Sequence, residues 1–311
     1  MEIANNLSAM VRKLTRNWGR RSVIGIPYLF LFLLFTVPFL VVLKISVSET
    51  DGIRFQDLAS YADGVIHLKL KLSNYIFLGS DPLYIETYWS SIKFATLNTL
   101  ICLFIGYPFA YFMARSAANI RPALLMLVSL PFWTSYLLRV YAWKGLLDDH
   151  GVFNNIMLWL HLIEEPIKMM HTPFSMTVGM VYAYLPFMIL PLYANLVKMD
   201  LRLIEAAKDL GATSWQTFWL VTVPLSKSGI VAGAMLVFIP SLGEYVIPEL
   251  LGGPSTLMIG RVLWDEFFSN NDWTMASAVA VTMVGLILVP LAIFNKYQTD
   301  SRGVRGGMSH V

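Results

Sequence analysis

Six stretches of this chain, residues 23–45, 92–114, 123–147, 174–197, 229–251 and 275–297, are each long and apolar enough to cross a lipid bilayer. A helix needs roughly 20 apolar residues, at about 1.5 Å per residue, to span the hydrocarbon core. Composition agrees, with 56% of residues hydrophobic and 14% charged, far from the balance of a soluble domain. Hydrocarbon offers a backbone no hydrogen bonds, so each segment must satisfy its own, and none shows the period-2 alternation of barrel strands. The expected fold class is an all-α polytopic membrane protein. Its single transmembrane domain covers 23–297, between a basic lead (1–22) and a short tail (298–311). The third and fifth segments carry internal charges and are the least suited to being single straight helices.

Basic residues orient the segments. With the N-terminus inside, fourteen Lys and Arg fall on inner pieces, including Arg20, Arg21, Arg115, Arg121, Lys198 and Arg202. Only Arg54, Lys69, Lys71, Lys168 and Arg261 then lie on outer loops. Both termini and the 198–228 loop are therefore expected in the cytoplasm, and acids such as Asp148, Asp149, Asp265 and Glu266 outside. The first segment is longer than a cleavable signal core and is read as a retained anchor. The basic lead reads as a membrane-surface helix rather than a nucleic-acid arm, so the bilayer is the expected partner and nucleic acid is not. The Gly-rich tail after Asp300 is expected to be disordered. The one cysteine, Cys102, lies within the second span and excludes an internal disulfide or a cysteine metal site.

The inner loop EAAKDLGATSWQTFWLVTVP (205–224) has a physical reading of its own. Asp200 suits an N-cap, and Leu201, Leu203, Ile204, Ala207 and Leu210 give one helix an apolar side. Gly211 sits where a helix ends in a left-handed residue. Ser214 can cap a second short helix that presents Trp215, Phe218 and Trp219 at i, i+3 and i+4, and Pro224 precedes the next span. The expected form is helix–elbow–helix with an aromatic knob, and small Ala206 and Ala207 permit close approach.

The same residues resemble the signature loop of ATP-binding-cassette (ABC) importer permeases: Glu205, Ala206, Ala207, then Gly211, two aliphatics (Val221, Val223) and Pro224. That resemblance implies a six-helix type I ABC importer permease fold. It implies docking of Glu205, Ala206, Ala207, Gly211, Trp215, Phe218 and Pro224 against a separate cytoplasmic ATPase in a bacterial inner membrane. Further stretches, PFWTSYLLRVYAW (131–143), VYAYLPFMILPLY (181–193), FIPSLGEYVIPELLGGP (238–254) and MIGRVLWDEFF (258–268), resemble the polyamine permeases of this superfamily, putrescine-type above all. The implied partners are two ATPase subunits, a second and related permease, and an extracytoplasmic polyamine-binding protein. No Gly-x-x-x-x-Gly-Lys-Ser/Thr loop occurs, so ATP is expected to be used by the partner and no cofactor bound by this chain. Spermidine, ferric-iron, sulfate and molybdate permeases share the fold and remain alternatives for the substrate.

Ionisable residues inside spans are candidates for the substrate pathway. Glu244 lies about 22 Å, and Arg139 about 24 Å, from the inner ends of their segments at 1.5 Å per residue. Two readings stay open: an ion pair that lets both charges sit in the membrane, or a Glu244 that attracts a cationic substrate, with Arg139 setting its geometry. A diamine needs carboxylates or aromatic faces in place of water. Trp133, Tyr136, Tyr182, Tyr184 and Tyr245 are placed to supply them, with Trp133 and Tyr184 foremost. Interfacial packing explains such residues as readily. Enzyme chemistry has no support: no catalytic or metal-ligating constellation is found, and the five histidines form no His-Glu-x-x-His pair. An ion-coupled secondary transporter suits broken helices and membrane acids, yet leaves the 205–224 loop unexplained.

Overall fold

A computed structural model describes residues 22–307, except 52–53, 56–58, 63–64 and 69–70, with side chains for 22–49 and 71–292. The basic lead and residues 308–311 lie outside the described residues. Helix dominates, as expected. Four helices are long and apolar enough to cross a membrane by themselves: α1 (Ser22–Ser46), α3 (Pro82–Arg115), α7 (Pro173–Leu196) and the first part of α13 (Trp273–Gly307). Two further spans are bent pairs. One joins α4 (Arg121–Ser129, prolonged by a 3-10 turn to Trp133) to α5 (Tyr136–Leu147) and α6 (Val152–Trp159), and bends by 89°. The other joins α9 (Ser214–Leu225) to α10 (Lys227–Leu242) at 65°. The count reaches six when each bent pair is one span; the first pair contains the third apolar segment, with Arg139 and Lys144, and the second overlaps the fifth, whose Glu244 and Glu249 lie beyond Leu242.

The chain divides into two compact units, one of residues up to 76 with 272–281, the other of 77–271 with 282 onward. The first contains α1, apolar and exposed all round, and two short hairpins, β1 (Thr50–Asp51) with β2 (Arg54–Phe55) and β3 (Ala59–Ala62) with β4 (Val65–Leu68). Its Asp272 accepts the Met275 N–H at 2.9 Å and so caps the start of α13. The second unit is organised around α3, α7 and α10, which pack on one another. Its core is unusually rich in methionine: Met113, Met176, Met180, Met188 and Met258 are buried. Unbranched thioether chains fill the irregular gaps that helix crossings leave.

Three connecting segments hold further structure. The 46–91 loop contains α2 (Ser73–Ser80), and α3 starts ten residues before the apolar segment does. Asp81 makes that start, accepting the Leu83 N–H at 2.8 Å with Pro82 at the first helical position. The 148–173 loop contains α6 and is closed by buried Asn154, whose amide donates to the Asp148, Asp149 and Ile167 carbonyls while its oxygen accepts the Ile167 N–H. The 252–274 segment contains α12 (Ile259–Trp264), prolonged as a π-turn through Ser269. The tail is helical through Gly307, where disorder was expected, because α13 continues unbroken from its span.

Several prolines lie inside helices without ending them. Pro108, Pro186, Pro191, Pro240 and Pro290 all lie inside continuous helices. The breaks fall at Thr134–Ser135, Ser226 and Gly243–Tyr245.

Candidate functional site: a carboxylate at two broken spans

The fifth span stops at Leu242 and restarts as α11 (Val246–Leu250). Glu244 stands in the gap and is buried. Its Oε1 accepts the backbone N–H groups of Tyr245 at 3.2 Å, Val246 at 3.0 Å and Ile247 at 3.5 Å. The side chain thus takes the place of the carbonyls that a continuous helix would offer, and the break follows from that substitution. Tyr184, from the middle of α7, donates its hydroxyl to Oε2.

The other broken span meets the same point. Tyr136 opens α5, and its hydroxyl approaches the Glu244 carboxylate without meeting the geometry of a hydrogen bond. Arg139, one turn on, lies with its guanidinium 5.6 Å from the Tyr136 ring centre, a cation–π contact, and its buried Nε has no hydrogen-bond partner. Among the described residues no ion pair joins Arg139 to Glu244. The pairing weighed from sequence is therefore not formed: equal depth along two helices leaves the direction of each side chain undetermined.

Close backbone approach fixes the third wall. A Cβ at Gly260, in α12, would collide with the carbonyl oxygens of Gly243 and Glu244, so only glycine lets α12 lie against the break. Next to it, the Ile259 N–H donates to Ser91 of α3 at 2.7 Å. The Tyr245 ring stacks on Trp264 at 4.4 Å, and Trp264 meets Phe268 at a tilt at 4.1 Å, in a short aromatic ladder that starts at the residue after Glu244.

The structure thus brings Glu244, Tyr184 and Tyr245 together, with Arg139 one residue removed, through Tyr136. Trp133 and Tyr182 fall elsewhere. Trp133 is exposed on the 3-10 turn of the third span, and Tyr182 packs edge-on against Trp143 at 5.5 Å. Sequence reasoning missed Gly260 as a wall of the site, although it lies in the MIGRVLWDEFF stretch (258–268) that resembles the polyamine permeases.

At one end of the bundle, residues 198–228 form the expected helix–elbow–helix. In α8 (Arg202–Asp209) Glu205 and Ala206 are exposed and Ala207 half-buried. Asp200 accepts the Arg202 N–H at 3.0 Å. Gly211 has φ +85°, the left-handed elbow that a glycine makes without strain. The second helix is capped by Thr213 rather than Ser214: Thr213 and Gln216 exchange side chain–backbone hydrogen bonds in a capping box. Trp215 and Trp219 are exposed, whereas Phe218 turns inward against Tyr107 and Tyr111 of α3 at 5.5 and 6.1 Å. The chain bends at Ser226, two residues beyond Pro224.

The sequence profile of the family described as "Binding-protein-dependent transport system inner membrane component" matches residues 106–298. The chain belongs to that family. This permease is 38% identical over 288 residues to the "Spermidine/putrescine transport system permease protein PotB" of Haemophilus influenzae, covering 93% of this chain and 96% of that one. It is 39% identical over 271 residues to the PotB of Escherichia coli, covering 86% and 93%. Among solved structures, its fold matches a bacterial ABC transporter involved in the import of the acidic polysaccharide alginate. There the TM-score is 0.68 at 18% identity, with 94% of this chain and 98% of that one covered. The inward-facing MetNI methionine ABC transporter matches with a TM-score of 0.53 at 16% identity, covering 70% and 97%. Those two likenesses carry the fold, and the family match with the PotB relatives makes this an ABC importer permease of the inner membrane.

Proposed function

We propose that this permease is the transmembrane subunit of an ATP-driven polyamine importer, with putrescine as the foremost substrate, and that Glu244 is the carboxylate on the path. The observation that carries the reading is how Glu244 is held. A buried carboxylate normally needs a cation or several donors. Here backbone amides and the Tyr184 hydroxyl supply the donors, and Arg139 is engaged elsewhere. Among the described residues no cation pairs with it, which leaves its charge for a cationic substrate, with Tyr184, Tyr136 and Tyr245 offering ring faces for ammonium and methylenes. Discontinuous spans are where transporters build midplane sites, because freed backbone groups line a cavity there. The names of the PotB relatives support the same substrate class.

The 205–224 face, with Glu205, Ala206, Gly211 and Trp215 exposed and Ala207 half-buried beside them, docks on a cytoplasmic ATPase in this reading. Both termini lie in the cytoplasm, following the basic-residue asymmetry. The complex holds two ATPase subunits, a second and related permease, and a binding protein on the outer face; ATP is consumed by the ATPase. Transport is by alternating access. The test is uptake of labelled putrescine by the reconstituted complex carrying Glu244→Gln. Assembly and binding-protein docking persist and uptake is lost; unaltered uptake in that variant refutes the assignment.

A further inference from the structure

α3 touches three functional levels of the molecule through hydrogen bonds made by small, buried polar groups. At the loop end, the Tyr107 hydroxyl and Ser226 Oγ lie 2.9 Å apart, and Ser226 is where α9 turns into α10. Phe218 sits edge-on to Tyr107 beside this bond. Nine residues along α3, about 13 Å at 1.5 Å per residue, Asn98 donates from Nδ2 to Ser241 Oγ at 2.8 Å. Both residues are at most 1% exposed. Ser241 lies in the last turn of α10, and its carbonyl receives the Glu244 N–H at 3.4 Å. Farther on, Ser91 holds the backbone of Ile259, next to the glycine pressed against the Glu244 break.

A bond between an amide and a hydroxyl in an apolar helix interface adds little to packing, since two apolar groups of the same shape serve nearly as well. What it adds is a fixed register between the helices. α3 runs unbroken from Ser91 through Tyr107, with Pro108 inside the turn that carries Tyr107, so a displacement applied at Tyr107 reaches Asn98 along one continuous helix. We infer that α3 carries the movement of the 205–224 loop to Glu244, with Asn98–Ser241 as the joint and Asn98 as a positioning residue. This inference rests on the proposed roles of the loop and of Glu244. Phe218 pushes on Tyr107 and Tyr111; Asn98 shifts the end of α10; the Glu244 gap opens or closes with it.

The test uses the complete reconstituted complex and measures ATP hydrolysed per molecule of labelled putrescine taken up. For Asn98→Leu, uptake falls about tenfold, the scale of one buried hydrogen bond. ATP hydrolysis stimulated by the loaded binding protein stays within about twofold, so the ratio rises. Ser241→Ala added to that variant causes little further loss, because both changes remove the same bond. Should Asn98→Leu fail to assemble, Tyr107→Phe, which removes one hydroxyl, carries the same expectation. A variant that loses uptake and hydrolysis in proportion, or loses neither, overturns the inference. Wild-type protein that shows no ATP-driven putrescine uptake would instead overturn the proposed function.

Discussion

Glu244 draws its hydrogen bonds from neutral donors on α7 and on its own chain, whereas Arg139 leans on the ring of Tyr136. That difference supports the proposed substrate role of Glu244 over a structural ion pair. If the two residues were a structural ion pair, removing one member would cost about 3–5 kcal/mol and removing both could be nearly neutral. The geometry predicts another pattern for uptake per assembled complex. Arg139→Gln retains assembly, Glu244→Gln loses transport, and the double variant shows no rescue; full rescue would return the pair to a structural role. Tyr184→Phe should lower uptake about tenfold, since a hydrogen bond to a charged group is worth about 1.5–3 kcal/mol. Wild-type uptake in that variant would show that the Tyr184 contact is incidental. Glu244 was legible from sequence because a charge inside a span demands a reason. Its partners were less so: depth follows from counting residues, but the side from which Tyr184 or Arg139 approaches depends on helix crossings that counting does not supply.

At the scale of elements, α10 ends where a side chain competes for backbone groups, at Glu244, whereas the two bends fall at Thr134–Ser135 and Ser226. Hydropathy marks the spans but none of these breaks. Hydropathy also set the start of α3 too late, because a helix begins at its cap, Asp81, and not where apolarity begins. The helix–elbow–helix form of the loop follows from turn chemistry, with the cap shifted by one residue to Thr213 and Phe218 turned inward rather than out in the knob. Gly211→Val is predicted to insert and assemble but to abolish uptake. A side chain in the left-handed region costs about 1–2 kcal/mol, more when β-branched, and relieving that strain would misplace Glu205 relative to Trp215. Normal transport at equal expression would contradict this. Gly260→Val is predicted to displace α12 from the break, since its side chain has no room beside the Gly243 and Glu244 carbonyls. Protease protection of the 252–274 segment should fall with uptake; protection and uptake both equal to wild type would refute the close approach.

For the whole molecule, the family and the fold establish an importer permease, and the account adds a cation path powered from outside the chain. The asymmetry of basic residues, the exposed loop and the neutral-donor cradle of Glu244 all favour a cationic substrate driven inward by a separate ATPase. An ion-coupled carrier or an anion permease would need a different source of energy or the opposite charge at the break. The most direct measurement is uptake of labelled putrescine by vesicles of the reconstituted complex, with loaded binding protein outside and ATP inside. The account predicts uptake that requires ATP, survives collapse of all ion gradients, and is competed by spermidine but not by sulfate. Uptake that proceeds without ATP on an ion gradient, or that sulfate suppresses while spermidine does not, would contradict it.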